Sequence, residues 1–189
     1  ARRHQAEVPD LHRRAAEWYL HQDMADPAFD HAVAAGDLAL TFDVVNKFGL
    51  VKLHTGNLLG LQRWLQALPA SWFEQEPQLS LLQVAVMMYS GRVEAAMELL
   101  GDIERLVAST GETEGQLFGR MIAVKCFIAC EANDTEQAEQ LASVALQALP
   151  EGDRDFRGGV WGALGDVCRR NGRWREAHDH YLRALPYTD

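Results

Sequence analysis

The segment from Trp161 to Ala184 reads WGALGDVCRRNGRWREAHDHYLRA, and it decides how the rest of the chain is interpreted. Apolar residues recur in it every three or four positions, which is the spacing of an amphipathic α-helix. Asn171 and Gly172 interrupt this pattern near its centre, and both residue types are typical of tight turns. Because a turn this short makes its two helices pack antiparallel, the segment predicts a helical hairpin.

The same arrangement occurs twice more in the upstream sequence. Each of the three segments begins with a turn residue, then has an acidic residue, and has an alanine five positions after the turn. The turn residues are Gly91, Asn133 and Gly172, and the alanines are Ala96, Ala138 and Ala177. A helix pair that repeats at intervals of 42 and 39 residues is the signature of an α-solenoid. The chain is therefore predicted to be all-α, with about five antiparallel helical hairpins.

The last hairpin resembles the tetratricopeptide pattern W-x2-L-G-x2-Y…A-x3-F. The matching residues are Trp161, Leu164, Gly165 and Ala177, with Cys168 in place of the usual Tyr and Tyr181 in place of the usual Phe. The two upstream hairpins keep the alanine but lack the Leu-Gly pair. Their periods also exceed the usual value of about 34 residues. The array is therefore predicted to be tetratricopeptide-like with two degenerate units, and a generic helical bundle is the alternative.

The helix-period pattern extends over most of the chain, and turn residues or proline separate its segments. Ten helices are predicted in five pairs. They span 9–22 and 27–35, 38–54 and 58–68, 78–89 and 93–108, 114–132 and 135–149, and 156–170 and 174–185.

Composition and charge exclude several classes of protein. The chain has 18 basic and 27 acidic residues, and a net charge of −9 repels phosphate backbones unless basic residues are concentrated locally. The longest strongly apolar stretch, Leu79–Tyr89, is too short to span a bilayer, and no signal segment opens the chain. Three cysteines suit a reducing compartment better than a disulfide framework. We expect a cytoplasmic protein that binds neither nucleic acid nor membrane directly.

Motifs for catalysis or metal binding are missing from the sequence. It contains no Gly-x-Ser-x-Gly, no HExxH and no CxxC. Cys126 and Cys130 lie four positions apart on one predicted helix face, and we interpret them as small apolar packing residues rather than metal ligands. The chain is therefore predicted not to be an enzyme and to hold no metal ion.

Three short motifs follow one another in the first 80 residues. They are LHRRAAEWY at 11–19, HAVAAGD at 31–37, and RWLQALP at 63–69, which is followed by Pro77-Gln78-Leu79. In order and spacing this series resembles the central region of the large ATP-dependent LuxR-type transcriptional activators. In that family such a series follows the nucleotide-binding and winged-helix parts. A tetratricopeptide-like superhelix comes next, and a LuxR-type helix-turn-helix comes last.

The resemblance implies that the chain is the sensor or interaction segment of such a bacterial regulator. It would bind a small-molecule inducer or a protein or peptide partner and relay that binding to ATPase and DNA-binding domains. The chain has neither a phosphate-binding Gly-Lys-Ser/Thr loop nor a recognisable helix-turn-helix. No cofactor is therefore expected in this segment, whereas the resemblance implies ATP in the parent protein. The alternative is a stand-alone tetratricopeptide-repeat scaffold that binds peptides or proteins, and homodimerisation is left open.

The expected organisation is a single repeat domain over 1–189. It comprises a linker over 1–10, family-specific helical pairs over 11–77 and repeat units over 78–189. The start at Ala1, without Met and in polar sequence, leads us to expect a fragment of a longer protein.

Candidate ligand contacts lie on the first helix of each hairpin, because those helices line the concave face of a solenoid. The chosen residues are those that the pattern does not direct into the core. They are Gln78, Met88, Tyr89, Arg120, Phe127, Glu131, Asp166, Arg169 and Arg170. This mixture of arginine, carboxylate and aromatic groups suits a polar small ligand, such as a sugar or an acid, or an acidic peptide. The alternative is a solvated face with scattered ion pairs.

Overall fold

The computed structural model describes residues 2–111 and 115–187. Within these ranges it contains eleven α-helices, one short 3-10 helix and no β-strand. The predicted all-α class is therefore confirmed, and the structure is consistent with a helical-repeat fold. No helix in the described part of the chain is both long enough and apolar enough to cross a membrane.

The chain divides into two compact units, Ala1–Ala96 (unit 1) and Met97–Asp189 (unit 2), whereas the sequence predicted a single domain. In a repeat protein each hairpin contacts only its neighbours. A continuous array can therefore separate into two groups of internal contacts with no linker between them. In unit 1 the helices are α1 (Arg2–His21), α2 (Ala25–Ala35), α3 (Leu38–His54), α4 (Leu58–Ala67), α5 (Ala70–Gln75) and α6 (Pro77–Tyr89). Helix α7 (Val93–Thr110) contains the boundary between the units. In unit 2 they are α8 (Gln116–Glu131), α9 (Thr135–Ala148), α10 (Arg154–Arg170) and α11 (Trp174–Ala184), followed by the 3-10 helix Leu185–Tyr187.

The ten predicted helices all exist, and the structure differs from the prediction at two places near proline. Helix α1 begins at Arg2 and contains Pro9, so the predicted linker over 1–10 is wrong for residues 2–10. The sequence pattern placed the helix start near Pro9, but the good helix formers around this proline continue the helix on its N-terminal side. The second difference is α5, which the sequence did not predict. Pro69 ends α4 and also sets the backbone angle from which α5 starts.

Six turns of the chain share one backbone geometry. In each of these turns one residue, one or two positions after the end of the helix, has a positive φ between 55° and 74°; these residues are Asp23, Gly36, Gly56, Gly91, Asn133 and Gly172. At each position the next residue donates its N–H to the carbonyl oxygen five residues earlier, as in the bonds from Asp134 to Ala129 and from Arg173 to Cys168, both 2.9 Å. This pair of features is the Schellman helix end. Five of the six turns lie between the two helices of a predicted hairpin, at intervals of 33, 35, 42 and 39 residues. The repeat is thus already present in the first hairpin, where the sequence did not reveal it.

The fifth residue after each hairpin turn is buried. Ala96, Ala138 and Ala177 have exposed fractions of 0%, 0% and 2%, and each donates its N–H to the residue that follows the turn. The three alanines of the sequence repeat therefore occupy equivalent buried positions. Ala28 and Leu61 take the same position after the two upstream turns and are also fully buried. At four of the five turns this residue is alanine, whose small side chain lets the second helix of the hairpin approach its neighbours closely.

Residues of the three N-terminal sequence motifs form a network of contacts within unit 1. His12 and Arg13 of the first motif contact the second, because His12 Nδ1 lies 2.7 Å from His31 Nδ1 and Arg13 Nε donates to Asp37 Oδ2 at 2.7 Å. Asp37 also caps α3 by accepting the N–H of Leu40. That backbone bond and the bond from Arg13 hold the pKa of the Asp37 carboxyl below its ordinary value.

The third motif contacts helix α2 through Trp64. The indole is fully buried and stacks on Phe29, with ring centroids 4.5 Å apart and planes 1° apart. Its Nε1 donates to Asp26 at 2.9 Å, and the same carboxylate accepts from Lys52 and Arg63 at 3.1 and 3.0 Å. Burial acts to raise the pKa of Asp26, but these bonds outweigh it and leave the pKa below its ordinary value. The motifs that resemble the regulator family are therefore packing and ion-pair residues of unit 1.

Glycines set the closest approaches within unit 2. A Cβ on Gly165 would lie 2.4 Å from Tyr181, and a Cβ on Gly119 would lie 2.9 Å from the backbone N of Leu149. Gly165 and Tyr181 are the Gly and the aromatic position of the repeat pattern in the sequence. That part of the pattern therefore specifies contact between the two helices of one hairpin.

Replacing Gly165 with Ala is expected to destabilise unit 2 by about 1–3 kcal/mol, because the added methyl group overlaps the Tyr181 ring. Gly162 on the same helix provides a matched control, since a Cβ there meets nothing within 4 Å. Gly162→Ala should be neutral or stabilising by up to about 1 kcal/mol from helix propensity. Urea unfolding of both variants measures the difference, and equal effects would show that the close approach at Gly165 is unimportant.

Candidate ligand-binding surface

The three candidate contacts of unit 1 lie at opposite ends of α6. Gln78 is near its first residue, whereas Met88 and Tyr89 form its last turn. Ten residues of α-helix correspond to about 15 Å, so these side chains do not form one cluster. Gln78 and Met88 are half-buried, and Tyr89 is 66% exposed. Within unit 1, Tyr89 is therefore the candidate most available for contact with a ligand.

Four of the candidates in unit 2 lie together at the carboxyl-terminal ends of α8 and α10. Arg170 forms an ion pair with Glu131 at 3.6 Å, and its guanidinium also donates to the carbonyl of Cys130. Arg169 forms a second ion pair with Asp166 at 3.4 Å. All four side chains are at least one third exposed. The structure thus brings these predicted residues onto one accessible surface.

Asparagines extend this surface between neighbouring hairpins. The side-chain amides of Asn133 and Asn171 exchange two hydrogen bonds of 3.1 and 3.0 Å, and Asn171 also donates to Thr135. The sequence identified both asparagines only as turn residues. Their shared position in successive repeats, 38 residues apart, is the signal that could have predicted their contact. The name polar strip is used below for six residues: Glu131, Asn133, Asp166, Arg169, Arg170 and Asn171.

Tyr181 of α11 borders the polar strip. Its hydroxyl donates to Asp166 Oδ1 at 2.7 Å. Partial burial of the phenol and its bond to this carboxylate raise the pKa of Tyr181, so the hydroxyl stays protonated as a donor. Asp166 Oδ1 therefore accepts from Tyr181 on α11 and pairs with Arg169 on its own helix, α10, and these two contacts orient the carboxylate.

Arg120 does not line an open surface, contrary to the prediction. It is 8% exposed, and it donates from Nε and Nη2 to the two oxygens of Asp153 at 2.7 and 3.3 Å. Its guanidinium also lies 4.9 Å from the centroid of Phe156. The helix-period pattern could not exclude this outcome, because an arginine is tolerated inside when a carboxylate is buried with it. Gln116 donates to the same carboxylate at 3.3 Å.

Phe127 packs between α8 and α10. It is half-buried, its ring stacks with Phe156 at a centroid distance of 6.4 Å, and its tip lies 3.2 Å from the position of a Cβ on Gly159. Most of its aromatic surface is therefore used inside unit 2. Its remaining exposed edge is what a ligand at this surface could contact.

The described residues contain one group of three side chains with metal-ligand atoms close together: Glu139, Cys168 and Glu176. Arg173 lies between the carboxylates and pairs with both, at 2.9 Å from Glu139. Burial raises the pKa of the Cys168 thiol, so it does not supply a thiolate at neutral pH. This group is accordingly explained as an ion-pair cluster around Arg173.

The other two cysteines are also buried and free. A hydrogen bond with Cys130, together with burial, raises the pKa of the Cys126 thiol, and its Sγ donates to the carbonyl of Ala138 at 3.4 Å. These contacts agree with the interpretation of Cys126 and Cys130 as packing residues.

The chain is similar to a known transcriptional regulator. The HTH-type transcriptional regulator MalT of Cronobacter sakazakii is 34% identical to the chain over 144 residues, which are 76% of the chain. The match covers only 16% of the length of that regulator. No protein-family model matches the chain, and no solved structure matches it. This identity over three quarters of the chain makes it a relative of the MalT-like transcriptional regulators, which confirms the resemblance carried by its three N-terminal motifs.

Proposed function

We propose that the chain is the sensor and interaction segment of a LuxR-type, ATP-dependent transcriptional regulator. In this role it binds an inducer or a protein partner and relays that binding to ATPase and DNA-binding domains of a longer protein. The observation that carries the proposal is the 34% identity to an HTH-type transcriptional regulator. The helical hairpins of the chain support it, because repeat arrays of helical hairpins present extended binding surfaces.

The polar strip of unit 2 has the chemistry that a polar ligand needs. It offers two guanidinium groups, two carboxylates and two primary amides within one surface. Exposed ion pairs are worth about 0–1 kcal/mol each, so a ligand with hydroxyl or carboxylate groups can replace them at little cost. A sugar, an organic acid or an acidic peptide therefore fits this surface. We propose that the chain binds such a molecule without chemical turnover and works in the cytoplasm.

A thermal-unfolding screen tests the proposed binding. A ligand that binds only the folded chain at about 100 times its Kd raises stability by about 2.7 kcal/mol, which corresponds to about 5–10 °C in Tm at this chain length. Sugars, organic acids and acidic peptides form the three arms of the screen. We expect one arm to raise Tm, and Arg169→Gln to reduce that rise.

Arg105→Gln is the matched control for the screen, because Arg105 also pairs with an aspartate three residues earlier but lies on α7, outside the polar strip. It should leave the rise in Tm unchanged. If no arm raises Tm, or if both variants respond equally, the polar strip is not the binding surface. A response confined to peptides would favour the scaffold function.

The sequence of the parent gene tests the regulatory role separately. A phosphate-binding loop on one side of this segment and a helix-turn-helix on the other would support the proposal. A parent with neither element would overturn it, whatever the chain binds.

A further inference from the structure

His180 of α11 has a ring nitrogen that its surroundings leave without a hydrogen bond. Its Nδ1 is buried and has no hydrogen-bond partner among the residues that the structure describes. A neutral imidazole tolerates this position, because one of its two nitrogens is bare and the other carries the proton. The site therefore favours the neutral tautomer of His180 with its proton on Nε2.

A tryptophan of α10 holds this ring in place. Trp161 stacks on His180 with ring centroids 5.7 Å apart and planes 23° apart, and the guanidinium of Arg183 lies 4.9 Å from the centroid of the same indole. His180 and Arg183 are three residues apart, so both contact Trp161 from one face of α11. Because Trp161 is the Trp of the repeat pattern, this contact is part of how the last hairpin closes.

Charged groups face His180 from α11 and α9, whereas its contact with α10 is to an uncharged indole. Arg173, Glu176 and Arg183 lie on α11, and Glu139 lies on α9. Burial is the main reason that the pKa of His180 lies below its ordinary value, and the Arg183 cation adds to this effect. The two carboxylates act in the opposite direction, but Arg173 already pairs with both of them.

We infer that His180 is a pH-sensitive contact between α11 and α10, and that its protonation releases α11 from Trp161. A protonated imidazole carries an N–H on both nitrogens. A buried N–H without an acceptor costs free energy, and Nδ1 has no acceptor in its present place. The protonated ring meets this demand by leaving the indole and reaching water, which separates the two helices at this point.

The next residue connects this contact to the polar strip. Tyr181 donates to Asp166 of α10, and its ring packs against Gly165. Movement of α11 at His180 therefore also loosens Tyr181, which borders the polar strip. The pH-sensitive contact itself is independent of the proposed function, and only an effect of pH on ligand binding rests on that function.

Thermal unfolding of the 189-residue chain between pH 5 and pH 7.5 tests the inference. As the pH falls below about 6.5, the unfolded chain takes up a proton at His180 before the folded chain does, so the folded chain loses stability. Carboxyl groups with a lowered pKa, such as those of Asp26 and Asp37, lose their contribution below about pH 5, outside this window.

We expect the fall in Tm across this window to be smaller in His180→Gln than in the unaltered chain, by about 2–4 °C. His178→Gln is the matched control, because His178 lies two residues away on the same helix and its side chain is 70% exposed. This control should keep the pH dependence of the unaltered chain. Equal pH dependence in folded His180→Gln and in the unaltered chain, or equal flattening in both variants, would overturn the inference.

A second measurement does not require the variants to fold. In an NMR titration of the unaltered chain, the imidazole signals of His180 should titrate at lower pH than those of His178. After correction for the intrinsic pH dependence of exchange, the backbone amides of α11 should lose protection over the same pH range. A midpoint for His180 at or above that of His178, or protection in α11 that does not follow the His180 titration, would also contradict the inference.

Discussion

Replacing Asp153 with Ala should lower the free energy of unfolding of unit 2 by about 3–5 kcal/mol, the usual cost of removing one partner from a buried ion pair. The side chains of Arg120 and Asp153 are 10% and 2% exposed, so water can replace little of what either loses. Asp153 also precedes α10 and holds Gln116, so its loss removes bonds that connect α8 to the start of α10. Chemical denaturation followed by circular dichroism measures the change.

The double variant Arg120→Met/Asp153→Ala separates the charge from the packing. Removing both charged groups takes the whole ion pair out of the interior, so this variant should recover most of the stability lost in Asp153→Ala. A loss below about 1 kcal/mol in Asp153→Ala would show that other contacts hold the Arg120 charge or that it reaches solvent. That result would reopen Arg120 as a surface contact.

Trp64→Ala is the second substitution with a large expected effect, about 3–5 kcal/mol on unit 1. The indole is fully buried, stacks on Phe29 and lies 4.6 Å from the ammonium of Lys52. Its removal creates a cavity and takes one donor from Asp26. Intrinsic fluorescence and circular dichroism during urea unfolding measure the loss.

Two further tryptophan variants test which contacts of Trp64 cause this loss of stability. Trp64→Phe keeps an aromatic ring against Phe29 but loses the hydrogen bond to Asp26, and we expect about 1–3 kcal/mol. Trp174→Ala is the control, because that indole is 66% exposed and its removal should change stability by less than about 0.5 kcal/mol. Similar losses in Trp64→Ala and Trp174→Ala would contradict the burial described for Trp64.

The three N-terminal motifs and the polar strip lie in different units of the chain. Arg13, His31 and Trp64 belong to the motifs, and each makes a contact inside unit 1. The polar strip lies in unit 2. The described contacts of these motif residues therefore build unit 1, and the proposed ligand surface consists of other residues.

Local signals allowed the sequence to predict most of the helices and turns. Gly91, Asn133 and Gly172 adopt the positive φ that their residue types favour, and the alanines five residues later are buried as predicted. Helix bounds such as Leu38–His54 are those that the 3.6-residue period and the turn residues indicated. These features depend on neighbours within a few positions, so the sequence alone determines them.

Only the tertiary structure decided which side chains of a helix remain available. Arg120 and Arg170 both lie on helices with the same pattern, yet Arg120 is buried against Asp153 and Arg170 stays accessible beside Glu131. The periodicity of a helix gives the direction of its apolar face, but not which partner covers its polar positions. That choice depends on residues 30–40 positions away, whose charges and volumes meet only when the hairpins pack.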